Sequence, residues 1–113
     1  FNCREHTTEV SDPAETRELL QLVEYLPLVR VKKTRRKAKQ GHTAICLDQV
    51  EGLGNFIEVE MLFDDGTDVD ASEQQEKMKD FLGQLGISED QIVKDGYDVM
   101  VYEKESGTDR QAA

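Results

Sequence analysis

Cysteine is scarce in the 113 residues: Cys3 and Cys46 form neither a C-x-x-C pair nor any zinc spacing. That excludes a zinc ribbon and a disulfide framework, and it fits a reducing, cytoplasmic setting with two ordinary thiols. Tryptophan is absent and aromatic residues make up only 6%, so a core has to be built economically from aliphatic side chains. No apolar run of 18 residues and no signal-peptide pattern occurs, so no membrane association is expected. Positive charge is also short, with 14 basic residues against 24 acidic ones and a formal charge of −10. Such a surface repels phosphate outside a local patch, which excludes a general nucleic-acid binder. Methionine does not stand at position 1, where Phe1 begins the sequence, and this leaves a fragment or a processed piece open.

The basic residues that exist are concentrated. Half of the fourteen lie between Arg30 and Lys39, with no acid among them. The length suits one domain with a modest core. Residues 2–10 carry Thr7, Thr8 and Val10 in loose alternation and read as a strand. Asp12 as N-cap, Pro13 at the first helical position and Glu15 at the third then open a helix. Its apolar stripe is Leu19, Leu22, Val23 and Leu26, and Pro27 ends it.

Residues 28–38 read as a strand, Gln40-Gly41 as a two-residue turn, and 42–50 as the returning strand. In that register Lys33 faces Asp48, Arg35 faces Cys46 and Lys37 faces Ala44. A five-residue loop over 51–55 then places Glu58 opposite Asp48 and Glu60 opposite Cys46. It also sends Ile57, Val59 and Met61 to the face of Ile45 and Leu47. A loop one residue shorter mixes the faces, because side chains alternate with a period of two. The expected product is an α+β fold, an antiparallel β meander with flanking helices and two unlike faces. One face is apolar and suited to lie under a helix. The other carries Lys33, Arg35, Lys37, Asp48, Glu58 and Glu60.

After an acidic loop at 64–71, which lacks the spacing and the final Glu of an EF-hand, Ser72 and Gln75 form a capping box. Met78, Phe81, Leu82 and Leu85 repeat at helical spacing before Gly86. Ser88 with Gln91 marks another helix start. Residues 97–105 fit a helix or a strand, and 106–113 form a polar tail.

Three cations at alternating positions of a strand can line a groove for a polyphosphate, whose oxygens need fixed positive charge. Facing carboxylates, above all the same-face pair Glu58 and Glu60, suit Mg²⁺ or Mn²⁺, hard ions that bridge to phosphate. The plainer account is a solvated face with cross-strand ion pairs worth less than about 1 kcal/mol each. The run KKTRRKAK at 32–39 also matches a nuclear-localisation or nucleic-acid pattern, but its alternation along a strand suits that use poorly. His6 and His42 lack a partner for a catalytic dyad, and Cys46 reads as a small filler.

These segments are similar to the CYTH family, the triphosphate tunnel enzymes that include class IV adenylate cyclases and thiamine triphosphatases. The resemblance is carried by VSDP at 10–13, VRVKKTRR at 29–36 and ICLDQVEGLGNFIEVE at 45–60. The last segment, L-D-x-V-x-G-L-G followed by F-x-E-x-E, is typical of the cyclase-like branch. The similarity spans most of 3–103, so residues 1–105 form one CYTH-like domain. It implies a closed, eight-stranded antiparallel barrel that binds a triphosphate in its interior. By position it implies Lys33 and Arg35 as phosphate-binding and catalytic cations, with Lys37 and Arg4 as further ones. It implies Asp48 as a catalytic interior acid near metal and substrate and as a further metal ligand, and Glu58 and Glu60 as the metal-binding pair for Mg²⁺ or Mn²⁺. The implied reaction is conversion of ATP to cyclic AMP and pyrophosphate. Thiamine or inorganic triphosphate hydrolysis on the same scaffold, or binding without turnover, are the alternatives.

One departure is large. The family begins with an E-x-E-x-K strand, and nothing in this sequence matches it. The chain therefore resembles the C-terminal half of a tunnel. A fragment of a longer protein is preferred over a truncated product or a half that pairs with another chain, for example as a homodimer.

Overall fold

The computed structural model describes residues 3–107. It contains α1 (Pro13–Leu22), the strands β1 (Lys33–Gln40), β2 (Thr43–Val50) and β3 (Gly54–Met61), α2 (Ala71–Gln84), a 3₁₀ turn (Glu89–Gln91) and α3 (Tyr97–Ser106). The strands form one antiparallel sheet in the order β1-β2-β3, so the α+β meander expected from the sequence is the architecture. The sheet is open, with β1 and β3 as its edges, an arrangement consistent with part of a CYTH barrel. Among the described residues no helix is long and apolar enough to cross a membrane.

The faces follow the expected alternation, while the cross-strand pairs do not. Gln40 pairs with Thr43, so the first turn is Gly41-His42 and not Gln40-Gly41. Gly41, at φ 59°, takes the first central position, where hairpin turns favour positive φ. Arg35 therefore faces Asp48, Lys37 faces Cys46 and Lys33 faces Val50. The second loop is three residues, 51–53, because Val50 pairs with Gly54. Glu58 thus faces Cys46, Glu60 faces Ala44, and Phe56 faces Asp48. Each register is displaced by two residues from the expected one. A displacement by two changes every partner and leaves every side chain on its face.

Burial falls on the opposite side from the expected one. The buried residues are Ala44, Cys46, Asp48 and Val50 on β2, with Val101 on α3. Leu47, on the face expected to be covered, is 53% exposed, and Ile45, Ile57, Val59 and Met61 are only half-buried. The cause is geometric. β2 is the central strand, and its small inward residues Ala44 and Cys46 lie beneath the long charged side chains of β1 and β3. Helix α3 lies against the Val50 end of that face through Tyr97, and the Lys104 ammonium donates to the Gly52 carbonyl. Helix α2 contacts β3.

Helix boundaries bring further corrections. Residues 3–10 adopt no regular structure, so the strand expected over 2–10 does not form over its described part. Helix α1 starts as expected, with Asp12 accepting from the Glu15 amide at 3.0 Å. It ends at Leu22, four residues before the close of its apolar stripe. The Tyr25 amide donates to Leu20 and the Glu24 amide to Gln21, a Schellman closure with Glu24 at φ 69°. Leu19, Leu22, Val23 and Leu26 are all exposed. Helix α2 is capped by Asp70, which accepts from the Ser72 and Glu73 amides, and not by a Ser72 box. Gly86 ends α2 as expected, with the Ile87 amide on the Leu82 carbonyl at 3.0 Å. Ser88 and Gln91 bond to each other but open only the 3₁₀ turn. Residues 97–105 are helical, Ser106 ends that helix, and residues 108–113 of the expected tail lie outside the described residues.

Candidate functional site

The candidate face is built by strand parity. Alternate residues of β1 bring Lys33, Arg35 and Lys37 to one side, β2 adds Cys46 and Asp48, and β3 adds Phe56, Glu58 and Glu60. The basic and acidic strands are not neighbours, since β2 separates them. Their side chains meet because the residues between them are small. Arg35 reaches diagonally across β2 to Glu58, which lies in the Cys46 row, with Nη2 2.9 Å from Oε2. Lys37 reaches diagonally across β2 to Glu60, which lies in the Ala44 row, with Nζ 3.3 Å from Oε1.

Asp48 is the centre of this face, and its side chain is fully buried. Arg35 grips it side-on, Nε donating to Oδ1 and Nη2 to Oδ2, both at 2.7 Å. This two-point match is the strongest ordinary geometry of a charged hydrogen bond. The Tyr97 hydroxyl donates to the same Oδ2 at 2.7 Å. Arg35 holds the Asp48 carboxyl below the ordinary range, and the Tyr97 bond adds to this, while burial opposes both. In return the guanidinium is pushed further toward its charged form, chiefly by the Asp48 bond. Burial, with the bond to Asp48, raises the Tyr97 phenol, which stays protonated and acts as a donor.

The other expected residues are distributed as follows. The Lys33 ammonium lies 5.2 Å from the centroid of the Tyr97 ring, a cation–π contact, and not against Asp48. Arg4 is paired with Asp65 at 3.7 Å on the exposed surface after β3, apart from the sheet cluster. Tyr97 and Phe56, whose rings are 5.1 Å apart, belong to the face and were not marked by the sequence. Phe56 sat inside the F-x-E-x-E segment with the right parity, a signal that was legible. Tyr97 lies 49 residues from Asp48, and no local spacing connects them.

The donor set suits a hard divalent ion held jointly with a phosphate. Glu58 and Glu60 project from alternate positions of β3, with side chains 40% and 29% exposed, so both keep oxygens within reach of solvent. Mg²⁺ is commonly bound by one or two carboxylates together with water and phosphate oxygens. Among the described residues no group of three or more His, Cys, Asp or Glu side chains is placed to hold a metal. Glu58 and Glu60 thus offer part of a coordination sphere.

Comparison with known proteins places the chain in a family. The CYTH domain model matches residues 3–97, and the chain belongs to the CYTH domain family. It is also 28% identical over 89 residues to a Methanocaldococcus jannaschii protein named "Putative adenylate cyclase MJ0240". That alignment covers 79% of this chain and 50% of the archaeal protein, so the chain spans about half the length of this relative. No solved structure matches the chain.

Proposed function

We propose that the charged face binds the phosphate chain of a triphosphate, ATP or a related compound, together with Mg²⁺ or Mn²⁺. The observation that carries this reading is the matched set of charges: three cations and three carboxylates on one face, the closest pairs at 2.7–3.3 Å. Lys33 and Arg35 are the principal phosphate contacts, with Lys37 at the Glu60 end. Glu58 and Glu60 are the metal-holding pair. Asp48, whose oxygens are taken by Arg35 and Tyr97, is assigned the orienting role and not a ligand's. Arg4 is left out, because its partner is Asp65.

The reaction that best suits this face is adenylate cyclase-type conversion of ATP, in line with the name of the archaeal relative. The 3′-hydroxyl attacks the α-phosphorus, the bond to the bridging oxygen breaks, and pyrophosphate leaves. Lys33 and Arg35 neutralise charge on the phosphate oxygens through fixed donors. When bound, the divalent ion supplies further charge neutralisation along the phosphates. In a thiamine or inorganic triphosphatase water is the nucleophile, and product analysis for cyclic nucleotide against orthophosphate separates the two. The open edges of β1 and β3 need cover in a soluble protein. Further strands of a longer chain, or a second copy, would supply it.

Calorimetry with tripolyphosphate, with and without Mn²⁺, tests the binding. Tight binding with Mn²⁺, and loss of the metal dependence in Glu58→Gln, are expected. Absence of heat under both conditions would return the face to solvated ion pairs. A second reading, binding without turnover, draws on the lack of a three-ligand metal group among the described residues. It predicts binding with neither cyclic nucleotide nor phosphate released in excess metal.

A further inference from the structure

Tyr97 is the first residue of α3, and its side chain touches three groups of the charged face at once. The hydroxyl donates to Asp48 Oδ2 at 2.7 Å. The ring lies 5.1 Å from Phe56, tilted by 57°. The Lys33 ammonium sits 5.2 Å from the ring centroid. One aromatic residue therefore contacts Lys33 directly and Arg35 through a single carboxylate.

The chemistry of that carboxylate makes the link directional. Asp48 has no solvent contact to exchange for a protein bond, so its rotation is set by its three donors: Arg35 Nε, Arg35 Nη2 and the Tyr97 hydroxyl. Arg35 Nη2 is also shared with Glu58 at 2.9 Å. Two acids thus compete for one side of the guanidinium. If the Asp48 carboxylate could turn, the guanidinium would be free to swing toward Glu58, and the direction of its remaining N–H groups would be lost. The Tyr97 bond opposes that turn. A phenylalanine would serve equally well for packing against Phe56, but it could not hold Oδ2.

We propose that Tyr97 is a positioning residue: its hydroxyl fixes the Asp48 carboxylate and through it the plane of the Arg35 guanidinium, while its ring holds the Lys33 ammonium. Helix α3 thereby sets the direction in which both cations present charge to an anionic ligand. As regards the ligand, this rests on the triphosphate reading above. As regards Arg35, it stands on the geometry alone.

Tyr97→Phe removes the hydroxyl and keeps the ring. Without any ligand, solvent exchange of the Arg35 Nε–H, followed by ¹⁵N NMR, should accelerate about tenfold, the factor expected for one charge-assisted hydrogen bond. An unchanged exchange rate overturns the positioning role. With tripolyphosphate and Mn²⁺, calorimetry should show the dissociation constant raised about tenfold in Tyr97→Phe. In an Arg35→Lys background, which has no fork to orient, the same substitution should have no further effect. A purely structural Tyr97 would instead weaken both backgrounds alike and leave the Nε–H exchange unmoved. Replacing tyrosine by 3-fluorotyrosine keeps ring and hydroxyl and strengthens the donor. It should slow the exchange, so the inference can be overturned even where Tyr97→Phe folds poorly. A wild-type chain that binds no tripolyphosphate sinks the triphosphate reading, and the exchange rates still decide the role of Tyr97.

Discussion

Arg35 on β1 and Asp48 on β2 lie directly opposite each other in the sheet and are joined by two hydrogen bonds of 2.7 Å. Their exposures are unequal: the Arg35 side chain keeps 28% of its surface and the Asp48 side chain none. The carboxylate therefore depends on the guanidinium far more than the reverse.

Arg35→Met would leave Asp48 buried without its cation. Removing one partner of a fully buried pair costs about 3–5 kcal/mol, and the solvent contact of Arg35 reduces this to about 2–4 kcal/mol. Urea unfolding of the variant should show that loss. Arg35→Met combined with Asp48→Leu should recover most of it, because no charge is then stranded. A single variant as stable as the wild type would mean that Asp48 finds another partner.

The same pair shapes the acid response. The Asp48 carboxyl titrates below its ordinary 3.8 in the folded chain, chiefly through Arg35. Its contribution is fully present above the unfolded value and is lost as pH falls through the lower folded value. Wild type and Asp48→Asn should thus differ most in unfolding free energy at neutral pH. The gap should narrow below about pH 4. A gap that stays constant down to pH 2 would remove the pair from acid unfolding.

Lys37 and Glu60 form a contrasting pair, 3.3 Å apart and with 47% and 29% of their side-chain surfaces exposed. Such a pair is screened by solvent and contributes well under about 1 kcal/mol. Lys37→Ala should leave the urea midpoint almost unmoved yet weaken tripolyphosphate binding severalfold. Equal binding by variant and wild type would take Lys37 out of the proposed site.

Glu24 closes α1 at φ 69°, a conformation that costs a residue with a Cβ about 1–2 kcal/mol. Glu24→Gly should relieve about 0.5–1 kcal/mol of that after the entropy of glycine is set against it. Amide exchange of residues 24 and 25 should slow in the variant. Faster exchange would show that the Glu24 side chain supports the closure.

The alternation of β1 and the E-x-E of β3 were legible because a strand has a period of two, and parity survives any even displacement. Thus Lys33, Arg35, Lys37, Asp48, Glu58 and Glu60 could be assigned to one face before their partners were known. The partners were not legible. Whether a turn occupies Gln40-Gly41 or Gly41-His42 is not fixed by its glycine, since Gly41 belongs to both, and it exchanges Lys33 for Arg35 opposite Asp48. The buried face differs from the expected one for a related reason. Hydrophobicity alone favoured Ile45 and Leu47, whereas Ala44 and Cys46 are buried because long charged neighbours close over small residues.

By itself the sequence determined the meander and the composition of its two faces, which rest on local periodicity and turn residues, and its segments at 10–13, 29–36 and 45–60 carried the resemblance that proved to be CYTH family membership. Only the tertiary structure decided that Arg35 holds Asp48, that Glu58 is reached across β2, and that Tyr97 joins them. Those relationships connect positions 13, 23 and 49 residues apart. They follow from strand register and from where α3 comes to rest, which no local pattern of side chains encodes.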